Sequence, residues 1–216
     1  MSEYVMIKPS DDPLIPVYAS LGDFETPVWA QSRWEEGPYA KYVRKNGCGH
    51  CCAAMAARLY GVEIDPAMEF DTCVTLWDEP SETRDWFQTA RGITEVLRAY
   101  GISSSAYGVP EKEEELSLTR HLMECALSSG HPVIFWSHPW EGPNLFSTGE
   151  HYVMAAGYDE EGHVIVLNSS VTTTDAGFHR TDLDTIMQCM YRGSTASITG
   201  WGTESDLPGC GGIVIV

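Results

Sequence analysis

A cysteine, a histidine and an asparagine occur in this sequence in an order and setting suited to acyl transfer through a thiol. Cys48 opens a predicted helix, directly after the turn-forming pair Asn46-Gly47. A thiol on the first turn of a helix feels the positive end of the helix dipole, which favours the reactive thiolate. His151 begins one predicted strand and Asn168 ends the next. Such a pair can supply a base and the group that orients it.

The apolar runs 151–157 and 164–167 are joined by a short polar segment, a pattern that predicts a β-hairpin. In that hairpin His151 and Asn168 fall at the same end. An asparagine that accepts a hydrogen bond from one ring nitrogen would hold the tautomer whose other nitrogen can face the thiol. The other histidines have no comparable partner in the sequence, and we interpret them as structural or surface residues; they are residues 50, 121, 131, 138, 163 and 179.

Two other kinds of chemistry compete for the segment around Cys48. The stretch Cys48-Gly49-His50-Cys51 has the spacing of a thiol–disulfide exchange motif, although the charged segment before it is unlike the buried strand that leads into such motifs. A zinc site built from residues 48–52 is disfavoured, because adjacent positions on one helix cannot all face one tetrahedral ion. We therefore predict no metal and no cofactor. An inactive peptide-binding module is a third alternative.

The remaining cysteines are interpreted as small buried hydrophobic residues, namely Cys51, Cys52, Cys73, Cys125 and Cys189. Cys210 lies in a glycine-rich turn and is expected to be exposed. None of the seven cysteines shows the spacing of a disulfide framework, which favours reduced thiols and a cytoplasmic location. The first twenty residues also lack the pattern of a secretory signal.

The bulk composition limits the class of protein and of partner. The chain has 216 residues, of which 43% are hydrophobic, enough for one domain with a well-formed core. Its 31 acidic and 13 basic residues give a net charge of −18, which repels nucleic acid. No apolar run approaches the ~18 residues of a membrane span. We therefore expect neither a nucleic-acid nor a membrane partner, and the oligomeric state is not indicated.

Hydrophobic periodicity predicts helices first and strands later along the chain. Residues 1–45 read as irregular, with short strands at 5–7 and 28–30. Predicted helices cover 48–60, 93–100 and 118–128, the last with Ser117 as its cap. Residues 84–90 either extend the second of these or form a separate turn before it. A further helix from 183 follows a capping-box pattern at Thr181-Asp182-Leu183-Asp184. Predicted strands cover 132–136, 151–157, 164–167 and 213–216. This order predicts an α+β fold with two lobes and a cleft between them.

Four stretches together resemble the papain-like cysteine peptidases, most closely the branch of bacteriocin-processing bacterial peptidases that cleave after double glycine. They are Val28-Trp29-Ala30-Gln31-Ser32-Arg33-Trp34, then 47–55 with Gly47-Cys48-Gly49, then Gly130-His131-Pro132-Val133-Ile134 with 151–159, and finally 164–168. The chain departs from the pattern at two positions. His50 replaces the usual proline, and Asn168 stands where this branch usually has aspartate.

The resemblance implies roles for four residues and a plan for the domain. Cys48 would be the nucleophile in a thiolate–imidazolium pair with His151, which acts as base and then acid, while Asn168 orients His151. Gln31 would donate to the oxyanion beside the backbone N–H of Cys48. The substrate would be a peptide or protein, cleaved through a thioester that water or another amine resolves. The domain would span 1–216, with an irregular segment 1–27, a helical lobe over about 28–130, a sheet lobe over about 131–216, and the loop 137–150 as one wall of the cleft.

Overall fold

The computed structural model describes residues 4–35, 37–77, 89–108, 113–137, 145–170, 176–190 and 212–216. The helices of this part are α1 (Ala40–Asn46), α2 (Cys48–Arg58), α3 (Pro66–Trp77), α4 (Ala90–Ala99), α5 (Glu113–Ser128) and α6 (Leu183–Met190). The strands are β1 (Met6–Asp12), β2 (Ile15–Leu21), β3 (Phe24–Val28), β4 (Ser105–Tyr107), β5 (Val133–Ser137), β6 (His151–Tyr158), β7 (Val164–Leu167), β8 (Phe178–Thr181) and β9 (Ile213–Ile215). No helix within these residues combines the length and apolar character that a membrane crossing requires.

A six-stranded sheet forms the centre of the molecule, in the order β4-β9-β5-β6-β7-β8. All of its described pairings are antiparallel. Alternate residues of the strands face opposite sides, as the pleat requires. Ile134 and Met154 pack into the core around α2, whereas Val133 and Phe135 pack into a second core with α5 and α6. The predicted α+β class is therefore confirmed.

A second, three-stranded sheet lies at the N-terminus, where the sequence predicted an irregular segment. Strands β1, β2 and β3 form an antiparallel meander over residues 6–28. The backbone N–H of Val5 donates to the carbonyl of Tyr158, which ties this sheet to the end of β6. The prediction was wrong because the segment is rich in proline and aspartate, which are depleted in strands. Pairing with neighbouring strands overrides that weak local preference.

The predicted helices are present, with differences at their ends. α2 occupies the predicted segment. α4 begins at Ala90, where Thr89 Oγ1 accepts a hydrogen bond from the N–H of Gly92 at 2.9 Å. Residues 84–88 of its proposed extension lie outside the described part of the chain. α5 begins at Glu113, so Ser117 lies inside the helix and is not its cap. The glutamates of residues 113–115 extend the helix toward its N-terminus, since Glu is a good helix former.

Predicted strands and the last helix also agree with the structure. Strands β5, β6, β7 and β9 fall on the predicted segments within a residue or two. At the start of α6, Asp182 Oδ1 accepts the N–H of Thr185 at 2.7 Å, so the side-chain cap is Asp182, one residue after the Thr181 that the predicted capping box would use. Helices α1 and α3 and strands β4 and β8 were not predicted, because their apolar residues follow neither period clearly; α1 lies almost entirely within residues 1–45, which were predicted to be irregular.

Helix α2 is the central helix of the first core. Every residue from Gly49 to Ala57 is buried, and most of these side chains are small. The helix packs against β6 and β3 on one side and against α3 and α4 on others. Its first residue, Cys48, is half-buried at the N-terminal end of this buried helix. The position of Cys48 is therefore set by the packing of the whole helix.

The junction between α1 and α2 requires glycine at position 47. A Cβ atom placed there would lie 2.4 Å from the carbonyl oxygen of Val43 and 2.7 Å from its Cγ1. The φ of Gly47 is −82°, which any residue can adopt. The requirement therefore comes from the close approach of the α1 backbone, which sets the angle at which the chain enters α2.

We predict that Gly47→Ala destabilises the protein by ~1–3 kcal/mol, the usual cost of forcing extra volume into a packed site. Urea denaturation measures this change in the free energy of unfolding. Gly108→Ala is the matched control, because nothing lies within 4 Å of a Cβ added there. The control should stay within ~0.5 kcal/mol of the unmodified protein. Equal stability of the two variants would contradict the assigned contact.

Candidate active site

His151 and Asn168 meet at one end of the β6–β7 hairpin. Strand β6 pairs with β7 so that Met154 lies opposite Leu167. Asn168 follows Leu167 directly, and His151 begins β6. His151 Nε2 lies 2.9 Å from Asn168 Oδ1. Both residues are buried, so water does not replace this bond. The predicted pairing of these two side chains is present in the structure.

The backbone on either side sets the direction of the Asn168 amide. The N–H of Ser170 donates to Oδ1 at 2.8 Å, and Nδ2 donates to the carbonyl oxygen of Phe146 at 2.9 Å. A backbone N–H can only donate and a backbone carbonyl can only accept, so the amide cannot be reversed. Oδ1 must therefore accept a proton from His151 Nε2. In the neutral ring this leaves Nδ1 as an unprotonated base.

Burial strongly favours the neutral form of His151. It lowers the pKa of this imidazole from 6.5 to about 4, while the hydrogen bond with Asn168 opposes the shift and the nearby His179 adds to it. Desolvation disfavours the charged form of a histidine more than the single neutral hydrogen bond restores. At pH 7 the ring is therefore an available base, which takes up a proton only when a negative charge develops beside it.

The start of α2 approaches the same end of the hairpin through a chain of contacts. Cys51 lies one turn after Cys48, so the two side chains share a side of the helix. The thiol of Cys51 is within hydrogen-bonding reach of the Ser169 side chain. Ser169 directly follows Asn168 in the chain. This contact brings the first turn of α2 to the residue next to the His151–Asn168 pair.

Gln31 reaches the same residue from a third direction. It opens a short 3-10 turn, Gln31–Arg33, which follows β3. Its backbone N–H donates to the carbonyl of Ser169 at 3.0 Å, and Ser169 Oγ donates to its Oε1 at 3.4 Å. With Oε1 engaged, the NH₂ end of the amide is available as a donor. Two distant segments of the chain, around Gln31 and around Cys51, thus contact Ser169, a residue that the sequence did not single out.

Cys51 and Cys52 differ from Cys48 in their burial, which changes the pKa of their thiols. Cys51 and Cys52 are fully buried, and burial, reinforced by the nearby Cys48, raises the pKa of both thiols well above 9.0. Both therefore remain thiols, which are poor nucleophiles. This weighs against disulfide exchange through the Cys48–Cys51 motif, because the second cysteine is buried as well as protonated.

Predictions for the other cysteines are confirmed with one exception. Cys73 and Cys189 are buried, as expected. Cys125 is exposed, which corrects the prediction that it is buried. That helix packs through Met123, Ala126 and Leu127, and Cys125 lies beside this stripe, with Sγ 3.6 Å from Nε2 of His121. Cys210 lies outside the described residues.

Two of the histidines for which the sequence indicated no partner form hydrogen bonds to buried side chains. His179, on β8, places Nε2 3.1 Å from Nδ2 of Asn168. His50, the residue in place of the usual proline, is buried and bonds through Nδ1 to the carboxylate of Glu69 on α3. The sequence contained no signal for either contact. Strand β8 was not predicted, and neither was α3, so their side chains could not be placed.

Two groups of side chains carry atoms that metal ions bind. In the buried group, the ligand atoms of His50, Glu69 and Cys73 lie within 4.8 Å of one another. The Cys73 thiol donates to Glu69 Oε1 at 3.6 Å, and the His50 ring also bonds that carboxylate. The group is therefore held together by its own hydrogen bonds. The second group lies on the β6–β7 turn and consists of Asp159, Glu161 and His163.

The observed arrangement can support thiol-based acyl transfer. It provides a desolvated imidazole with a defined tautomer and a helix that begins with a cysteine. Gln31 also places an amide beside Ser169, which the first turn of the same helix contacts. Comparison with known proteins agrees with this chemistry. The model of the peptidase C39-like family matches residues 25–195, which is most of the chain. No curated protein matches it significantly. The chain belongs to the peptidase C39-like family, and so is related to the papain-like cysteine peptidases and their bacteriocin-processing branch.

Proposed function

We propose that this protein is a cysteine peptidase that hydrolyses peptide bonds through a thioester on Cys48. The observation that carries the proposal is the buried 2.9 Å hydrogen bond between His151 and Asn168, with the amide direction set by the backbone. This bond gives His151 a proton-accepting Nδ1 at neutral pH. Family membership supports the same class of reaction.

The first half of the reaction forms the acyl-enzyme. The Cys48 thiol gives its proton to Nδ1 of His151 as the sulfur attacks the substrate carbonyl carbon. The carbonyl π electrons move to oxygen, and the N–H of Cys48 and the NH₂ of Gln31 donate to the resulting oxyanion. One such donor is typically worth ~3 kcal/mol of transition-state stabilisation. When the C–N bond breaks, the imidazolium protonates the departing amine, and a thioester remains.

The second half regenerates the enzyme. A water molecule gives a proton to His151 as its oxygen attacks the thioester carbonyl. The C–S bond then breaks, the sulfur recovers its proton from His151, and the carboxylic acid leaves. An amine in place of water would give transpeptidation by the same steps. We expect the substrate to lie between the start of α2 and the start of β6, with the loop 137–150 beside it; residues 138–144 of that loop lie outside the described part.

Alkylation by iodoacetamide at pH 6 tests the nucleophile and its base. We predict rapid modification of Cys48, no modification at this position in Cys48→Ala, and a rate at Cys48 lower by ~10²-fold or more in His151→Ala, the usual scale for a lost general base. Mass spectrometry of the peptide that contains residue 48 measures the rates.

Cys51→Ser separates this proposal from disulfide exchange. A peptidase should retain fast alkylation of Cys48 in that variant, whereas an oxidoreductase should lose its exchange activity. Cys125→Ser, a change at an exposed cysteine, is the control and should leave the Cys48 rate unchanged. Equal Cys48 rates in the unmodified protein and in His151→Ala would refute the assigned pair.

The pH dependence of the same alkylation tests the state of His151. Burial lowers its pKa to about 4, so the ring stays deprotonated, and able to accept the thiol proton, as pH falls from 7 to 5. We predict that the alkylation rate changes by less than ~3-fold over that range and falls only as pH approaches the lowered pKa. A decline centred near 6.5 would show an exposed, ordinary imidazole. An alkylation rate that rises only as pH approaches a thiol pKa near 8.5 would show that His151 does not accept the proton of Cys48.

A comparison of two inhibitors tests Gln31. A peptidyl aldehyde forms a hemithioacetal whose oxygen needs the oxyanion donors, whereas alkylation by iodoacetamide does not. We predict that Gln31→Ala weakens inhibition by a peptidyl aldehyde by ~10²-fold. The alkylation rate of Cys48 should change little. Gln188→Ala, on the exposed side of α6, is the matched control. Equal losses in both assays would mean that Gln31 only supports the local structure.

A further inference from the structure

The nitrogen of the Asn168 amide has a second acceptor besides the Phe146 carbonyl. His179 Nε2 lies 3.1 Å from Nδ2. We propose that His179 is a positioning residue, which accepts the second N–H of the Asn168 amide and so holds in place the amide to which His151 is bonded. The inference rests on the proposed function, since it assigns a residue to the same site. Nothing in the sequence pattern that identifies the site includes position 179.

The hydrogen-bond donors and acceptors of Asn168 determine which ring nitrogen of His179 carries the proton. An amide has two N–H donors and an oxygen with two lone pairs. The oxygen receives the Nε2–H of His151 and the N–H of Ser170. The nitrogen gives one hydrogen to Phe146 and has one left, directed at His179. Nε2 of His179 must accept it, so the neutral ring carries its proton on Nδ1.

The surroundings of His179 keep it in that accepting form. The residue lies on β8 opposite Val166 of β7, and its ring stands edge-on to the ring of Phe146, with centroids 5.2 Å apart. Burial lowers its pKa below 6.5. The Phe146 residue thus contacts His179 with its ring and Asn168 with its carbonyl. These contacts form a continuous layer beneath the His151–Asn168 bond.

This layer explains why position 168 carries an amide. An aspartate there would direct a carboxylate oxygen at the Phe146 carbonyl, which cannot donate to it, and would require His179 to carry its proton on Nε2 instead. A buried negative oxygen would then face an acceptor with which it cannot bond. With asparagine, both contacts become hydrogen bonds. His179 and Asn168 are therefore a matched acceptor and donor.

Histidine NMR measures the predicted tautomers directly. In protein labelled with ¹⁵N-histidine at pH 7.5, long-range ¹H–¹⁵N spectra distinguish protonated from unprotonated ring nitrogens. We predict that His179 is protonated on Nδ1 alone and His151 on Nε2 alone. Assignment comes from the loss of signals in His179→Gln and His151→Gln. A proton on Nε2 of His179 would overturn the inference, since that nitrogen could not then accept from Asn168.

A pair of substitutions at position 179 tests the effect on the site. Gln can place Oε1 where Nε2 of the ring stands and so keeps an acceptor, whereas Leu removes it. We expect His179→Leu to slow alkylation of Cys48 at pH 6 by about tenfold, the scale of one buried donor left unsatisfied. His179→Gln should stay within ~3-fold of the unmodified protein. In His179→Leu the Nε2–H signal of His151 should also shift or broaden, because one of the hydrogen bonds that hold the Asn168 amide is lost.

Controls separate this inference from the proposed function. His121→Leu changes an exposed histidine on α5 and should leave the alkylation rate and the spectrum of His151 unchanged. Equal rates in His179→Leu, His179→Gln and the unmodified protein would overturn the positioning role. A Cys48 that reacts no faster than free cysteine in unmodified protein would defeat the peptidase assignment instead. In that case the tautomer of His179 would still decide whether it is paired with Asn168.

Discussion

The site depends on the side-chain amide of Asn168, whose orientation the backbone fixes. Asn168 lies between a backbone N–H that can only donate and a backbone carbonyl that can only accept. In the low dielectric of a buried site, reversing the amide would replace two hydrogen bonds by two repulsive contacts. That asymmetry fixes which nitrogen of His151 carries the proton. The strand register, the turn after β7 and the described end of the loop before β6 all serve to hold these groups around one side chain.

Two electrostatic effects act in opposite directions on the thiol and the imidazole. The dipole at the start of α2 favours a thiolate by ~0.3–1 kcal/mol, and by up to ~2 in partly buried settings. Lowering the pKa of His151 from 6.5 to about 4 corresponds to roughly 3 kcal/mol against the imidazolium, at ~1.4 kcal/mol per unit. Burial of His151 therefore works against the thiolate–imidazolium pair that the sequence resemblance implied, and the helix dipole works in its favour.

Much of the site was predictable because it lies on elements with clear local signals. The helix that begins at Cys48 has an apolar period and a glycine before it, and the β6–β7 hairpin has two apolar runs and a polar turn. Those signals placed His151 and Asn168 at the same end. The contribution of His179 was not predictable, since β8 is short and its side chains follow no pattern. The same holds for Ser169, whose role comes only from two distant segments that contact it in space.

Strand β9 occupies an interior place in the central sheet, between β4 and β5. Ser105 of β4 thereby pairs with Ile215, and β4 and β5 do not pair with each other. Such distant pairing carries a large loop-closure cost before any contact is gained, which slows folding. Until residues 213–215 pair with β4 and β5, the edges of these two strands are unpaired and can bind other chains. The slowest step of folding, and the stage most exposed to aggregation, should therefore be the late insertion of this short strand.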